Sequence, residues 1–312
     1  MSEASTRASA TRNAALASVA TALFLLGLKA WATAATGSVA MLGSLIDSGL
    51  DLIASLVTLW AVRIAAEPAD HDHRFGHGKA EALAALFQVG LIAVSAIGIA
   101  WRAIQRLIAG AAPTDVEYGI GVSIAAIVAT LALTTYQRSV IRRTGSVAIS
   151  ADNVHYQSDL LLNGAVIAAL VLERYVGLAG ADPLFGILIA AWLAFGGFRA
   201  SREAINQLMD REWPEERRRA FAAATDHPAN RGTHDLRTRT SGAHEFAQFH
   251  IRVRPDMTVV EAHHVMDEIE AKLATEFPGV EVLIHVDPEH QIDEPGNALV
   301  EKNEIHASAS GD

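Results

Sequence analysis

Two pairs of side chains able to bind a metal stand four residues apart within apolar sequence: Asp47 and Asp51 in "SLIDSGLDL", and His155 and Asp159 in "SADNVHYQSDLL". On a helix, residues four apart share a face, with Cβ atoms roughly 5–6 Å from each other. Two carboxylates that close in a medium of low polarity cannot both stay ionised without relief. A basic side chain such as Lys29, shared protons, or a divalent cation would each supply it. One imidazole and three carboxylates from two helices can close around a small dication. Such a set suits zinc, with cadmium and ferrous iron as companions, whereas an all-oxygen site favours manganese or magnesium. Ionisable groups within membrane helices as a rule face the bundle interior and mark an ion path.

Two further clusters fall outside the apolar runs. The loop "ADHDHRFGHG" gathers Asp70, His71, Asp72, His73 and His77. Nine of the 13 histidines lie beyond residue 210, among them His234, His250, His263 and His285, with Asp287 two residues further on. Residues i and i+2 of a strand point to one face, so His285 and Asp287 aim at a common centre. There is no cysteine, which excludes disulfides and thiolate metal sites. Any metal held here uses imidazole nitrogen and carboxylate oxygen.

The elements that position these residues differ along the chain. Hydrophobic side chains make up 51% of the 312 residues, and the net charge of −10 arises wholly in residues 210–312, where 21 acidic groups face 11 basic ones. An acidic tail argues against nucleic acid, which needs a basic partner. Six apolar runs are long enough to cross a bilayer: 13–34, 39–65, 80–108, 117–138, 147–173 and 182–206. The fifth is interrupted by seven polar residues between Asp152 and Asn163. Basic residues near alternate span boundaries (Arg7 and Arg12; Arg63, Arg74 and Lys79; Arg138, Arg142 and Arg143; Arg199 and Arg202) predict that both termini are cytoplasmic. Arg102, Arg106 and Arg174 run against that pattern.

From about residue 210 the pattern reads α, two alternating strands around "TSGAH", a helix opened by Thr258 with Glu261 three residues on, and a last strand "VEVLIHVDP". The expected fold class is a polytopic α-helical membrane protein of six transmembrane helices with a C-terminal cytoplasmic α+β domain of order αββαβ. The expected organisation is a disordered N-terminal arm at 1–12, a transmembrane domain at 13–209, a cytoplasmic metal-binding dimerisation domain at 210–291 and a disordered tail at 292–312.

The stretches "SLIDSGLDL", "PADHDHRFGHGKAEALAAL", "ADNVHYQSD" and "HDLRTRTSG" together resemble the cation diffusion facilitator family, in particular its bacterial zinc and ferrous-iron efflux members. The resemblance runs from about residue 13 to 290. It implies a ferredoxin-like, metallochaperone-type tail and a transport site of Asp47, Asp51, His155 and Asp159. It further implies a loop zinc site of Asp70, His73 and His77, and a two-zinc cytoplasmic site of His234, His250, His263, His285 and Asp287, with the carboxylate bridging. Lys79 and Asp210 would form a salt bridge that ties a homodimer together. Val286 stands where the family often has a polar residue, which leaves the second cytoplasmic ion short of a ligand or water partner.

The resulting expectation is a secondary transporter of the inner membrane that exports Zn2+, also Cd2+ or Fe2+, in exchange for protons. Zn2+ serves as both cargo and regulator, with no organic cofactor, and protons and membrane lipid are the other partners. The chain has neither a GxxxxGK[ST] nucleotide loop nor an HExxH protease motif, so ATP-driven transport and intramembrane proteolysis are disfavoured. The alternatives are a membrane-anchored metal sensor, a proton relay without metal, or a transporter whose main substrate is Fe2+ or Mn2+.

Overall fold

The computed structural model describes residues 3–36, 39–109, 120–176 and 181–289. They form two compact units, one spanning Thr6–Asn206 and the other chiefly the chain from Gln207 onward.

The first unit contains six long helices among the described residues: α1 (Glu3–Thr36), α2 (Val39–Ala65), α3 (Ala80–Ala109), α4 (Ile120–Thr144), α5 (Val147–Val176) and α6 (Ala181–Leu208). Helix α1 begins at Glu3, so residues 3–12, expected as a disordered arm, are helical. The expected disordered tail, 292–312, lies outside the described residues. Five of the six helices are long and apolar enough to cross a membrane. The exception is α5, whose polar first half lowers its hydropathy although it packs against α2, α3 and α4. Its Asp152, Asn153, His155 and Ser158 are buried, so its polar groups face other helices. Trp31, Trp60, Trp101 and Phe198 point outward, an apolar exterior that suits hydrocarbon.

Short hinges and small residues set the packing. Gly145 turns the chain between α4 and α5 at φ +67°, a conformation L side chains rarely adopt. A Cβ added to Gly186 of α6 would come 2.9 Å from the Ala103 Cβ of α3. Glycine there permits the close helix approach that small residues give membrane bundles.

The second unit runs α7 (Glu215–Ala224), β1 (Thr233–Ser241), β2 (His244–Val253), α8 (Val259–Glu276) and β3 (Val280–Pro288). The strands form one sheet in the order β1-β2-β3, with β1 antiparallel and β3 parallel to β2. The parallel step requires a crossover, and α8 supplies it. Thr258 accepts from the Glu261 amide while the Glu261 side chain accepts from the Thr258 amide, so α8 starts in the expected capping box. Helices and sheet meet over Phe221, Phe249, Ile251, Ile269 and Leu273, all nearly inaccessible. Phe221 packs edge-on to both Trp213 and Phe249. Arg217 grips Glu245 through two 2.7 Å hydrogen bonds and fixes α7 to the start of β2.

Phe221 fills the centre of this core, so Phe221→Ala is expected to lower the stability of a 207–289 fragment by about 3–5 kcal/mol in denaturant unfolding.

Candidate functional site

Asp51 on α2 and His155 and Asp159 on α5 come together as the spacing predicts, with one ligand atom from each lying within 4.8 Å of the others. His155 Nε2 is 2.9 Å from Asp51 Oδ1, and its buried Nδ1 has no hydrogen-bond partner among the described residues. Asp47 does not join this cluster. It sits one turn away, about 6 Å along the helix axis, with its side chain exposed. It lines the same cavity of about 520 Å³ as the other three. Lys29 does not pair with either aspartate: its ammonium donates to Ser48 Oγ (2.6 Å) and the Ser44 carbonyl (3.4 Å). Lys29 still stands near enough to Asp159 to act on its charge, and Arg102 and Arg106 line the same cavity; a proton or a metal ion at the cluster would relieve the repulsion at closer range.

The loop residues also converge. Asp70 lies 3.3 Å from His73 Nδ1 through one oxygen and 3.4 Å from His77 Nε2 through the other. The turn is built by Asp70 Oδ1, which accepts from the backbone N–H groups of His73 (2.6 Å) and Asp72 (2.9 Å). Those donors, the His73 amide foremost, hold the Asp70 carboxyl below the usual carboxylate range. Their contribution is complete above that range and fades only as pH falls through the lowered value. At neutral pH the turn and its negative charge are intact. His71 and Asp72 contact each other at the exposed edge.

In the second unit the sheet register does the work. His234 is the cross-strand partner of His250, and His250 that of His285, so three imidazoles line up across three strands. Asp287 reaches back over this row: one oxygen lies 2.8 Å from His250 Nδ1 and 3.4 Å from His234 Nε2, and the other 3.3 Å from His285 Nε2. A tetrahedral zinc with bonds of about 2.0–2.1 Å separates its ligand atoms by about 3.4 Å. His234, His250 and Asp287 offer a donor set within 4.8 Å that could hold such an ion, once the 2.8 Å His250–Asp287 hydrogen bond widens, and the second Asp287 oxygen lies beside His285.

Two further residues bear on this cluster. His263, on the exposed first turns of α8, lies 3.4 Å from Asp267 and lines a separate groove with His285. It is not drawn into the His234–His250–Asp287 cluster. Val286 packs against the hydrophobic core, because strand alternation turns it away from the face that carries His285 and Asp287. It also lines the groove that His263 and His285 share.

A family model described as the cation efflux transmembrane domain matches residues 15–209, and one for the cation efflux protein cytoplasmic domain matches residues 214–289. The chain belongs to the cation efflux family. As a member it is a multi-pass membrane transporter of metal cations rather than an enzyme. The cation-efflux pump FieF of Cronobacter sakazakii is 44% identical over 276 residues, covering 88% of this chain and 92% of the relative. The FieF proteins of Salmonella, S. typhimurium among them, give the same figures. A solved chain of the zinc transporter CzrB in its zinc form is 42% identical over 28% of this chain and all of that one, with a TM-score of 0.25.

The structure of this cation efflux protein adds residues that spacing did not single out. Asp235 occupies a β-bulge between His234 and Arg237 at φ +47°, with its carboxylate 3.7 Å from His250 Nε2 and held by Arg237. Its one sequence signal is adjacency to His234 in "HDLRTR". Gln88 and Gln137, buried amides in apolar spans, bind Asp152 beside the site. Lys79 belongs to the helical unit and Asp210 to the other, where Asp210 lies 3.9 Å from Arg239.

Asp287 touches all three aligned histidines. Asp287→Ala is expected to weaken zinc binding by the full chain more than tenfold in a competition titration, and His263→Ala to weaken it less.

Proposed function

We propose that this cation efflux protein is a dimeric secondary transporter that moves Zn2+ out of the cytoplasm across the inner membrane in exchange for protons, with Cd2+ and Fe2+ as further cargo. The observation that carries this reading is the meeting of Asp51, His155 and Asp159 within 4.8 Å beside a cavity large enough for a hydrated ion. Asp47 lines that cavity and completes the transport set as the ion's approach ligand. The relatives named as cation-efflux pumps support the same direction.

The coupling follows from ligand chemistry. A metal ion binds neutral imidazole and ionised carboxylate, so ion and protons compete for the same atoms. A site open to the cytoplasm loads metal. Opened to the more acidic side, it takes up protons and releases the ion. The imidazole among the carboxylates favours zinc over manganese. On this reading the chain has six membrane spans, α5 included, with both termini in the cytoplasm. The cytoplasmic unit is a ferredoxin-like dimerisation domain in which His234, His250, His285 and Asp287, with His263 added on metal binding, sense zinc. Asp70, His73 and His77 hold a readily exchanged ion in the loop, and Lys79 and Asp210 bridge the dimer at the membrane surface. A metal sensor without transport would require only the second unit and leave the buried cluster without a role.

In proteoliposomes with an imposed pH gradient, Asp51→Ala is expected to abolish zinc uptake while zinc binding by the soluble unit persists. Normal uptake by that variant would rule out the site. His155→Asp is expected to shift the ratio of zinc to manganese transport toward manganese; an unchanged ratio would remove His155 from the selectivity set.

A further inference from the structure

Asp152 stands one turn before His155 on α5 and is fully buried. Its Oδ2 accepts from Ser18 Oγ of α1 (2.6 Å) and Gln137 Nε2 of α4 (2.7 Å), and its Oδ1 from Gln88 Nε2 of α3 (2.9 Å). Gln88 also donates to Thr58 of α2 at 3.2 Å. The carboxylate thus joins α1, α3, α4 and α5 directly and reaches α2 through Gln88. It is not among the clustered metal ligands, and the transport chemistry above does not use it.

The two sides of the metal cluster differ. The cavity follows α3 from Leu91 to Arg106, α2 back from Asp51 to Asp47, and the first turns of α6 at Pro183 and Gly186. Gly186 meets Ala103 and Gly197 meets Ile92, so α3 and α6 run antiparallel. All three directions therefore lead away from the side on which α1 starts and α6 ends. On that terminus-bearing side the bundle is closed. Ala14, Leu59, Ala84, Val140 and Ile149, one from each of α1–α5, form an apolar plug. Ser146 at the head of α5 donates to the buried Glu81 of α3. Asp152 lies between this plug and the metal ligands.

We propose that Asp152 is the clasp of a gate that closes the terminus-bearing side of the metal cavity and must release for an ion to pass on that side. This inference rests on the transport reading, in which the cluster faces each side in turn. A carboxylate suits a clasp that opens repeatedly. Dry, it needs the three donors from α1, α3 and α4, since a buried anion without donors is strongly disfavoured. Once water enters, solvent replaces those donors at little loss, and the same side chain is satisfied in the open state. An apolar side chain would resist that wetting. The sequential helices are thus held together by bonds that water can exchange.

The absence of cysteine allows a single reporter. Ser95 lines the cavity on the open side. Ser95→Cys is modified with a membrane-impermeant thiol reagent in the full chain reconstituted in liposomes, first alone and then with Asp152→Asn or Gln88→Leu. The expected result is at least a threefold fall in the modification rate for reagent on the open side in both double variants, because weakening the clasp shifts the population toward the opposite opening. Zinc affinity within threefold of the parent certifies an intact site; Gln88→Leu keeps the carboxylate and serves if Asp152→Asn does not fold. An unchanged modification rate in variants that bind zinc overturns the proposal, whether or not transport falls. The rate is read without transport, so failure of the transport reading would appear separately, as a parent chain that labels normally and moves no zinc.

Discussion

Seven polar side chains within twelve residues of α5 cannot face hydrocarbon, and that constraint organises the helical unit. Each must find a partner inside the bundle, because a dry, unpaired polar group there is strongly unfavourable. Asp152 draws in Ser18, Gln88 and Gln137. Asn153 donates to Gln137 Oε1 and to the Thr134 carbonyl. Tyr156 donates to the Ser18 carbonyl and shares a hydrogen bond with Ser55. These bonds fix the azimuth of α5 and so turn His155 and Asp159 toward Asp51. A hydrogen bond to a charged group contributes about 1.5–3 kcal/mol, of the same order as the desolvation that isolates the carboxylate. Such a network therefore specifies geometry more than it adds stability.

The metal cluster inherits its character from that placement. Asp51 and His155 approach to 2.9 Å with Asp159 beside them, while the Lys29 ammonium, hydrogen-bonded to Ser48 and Ser44, acts on Asp159 through space. A dication entering the cavity removes the repulsion that disfavours the empty set. On the proposed reading, the same repulsion would draw in protons once the ion has left, and exchange of one for the other would follow from ligand chemistry alone.

The sequence made the i,i+4 pairs legible because helix periodicity fixes which residues share a face, and apolar flanks say that the face is buried. It made the α+β order of the second unit legible through strand alternation and the Thr258–Glu261 cap. What stayed hidden depends on placement in three dimensions. Asp47 and Asp51 are equivalent on a helical wheel, yet one turn of rise decides that only Asp51 meets His155. The run of His234, His250 and His285 is a product of strand register, which spacing along the chain does not determine. Val286, apolar between two candidate ligands, packs partly against the core, a contact that adjacency along the strand does not reveal. Gln88 and Gln137 carry a weak signal in sequence, since an amide in an apolar span has meaning only once its partner is known.

The two candidate metal centres differ in the backbone that carries them, and this bears on what each could do. The ligands of the helical cluster come from α2 and α5, which are joined to each other by side chains alone at that level. A small relative shift of two helices opens or closes the set without breaking any backbone hydrogen bond. His234, His250 and His285 instead sit on adjacent strands of one ladder, where any change in spacing would cost several backbone bonds. A set that can be pulled apart is suited to handing on its ion. A set held by a sheet is suited to keeping one, and to changing the protein only through what the retained charge does to a neighbouring surface.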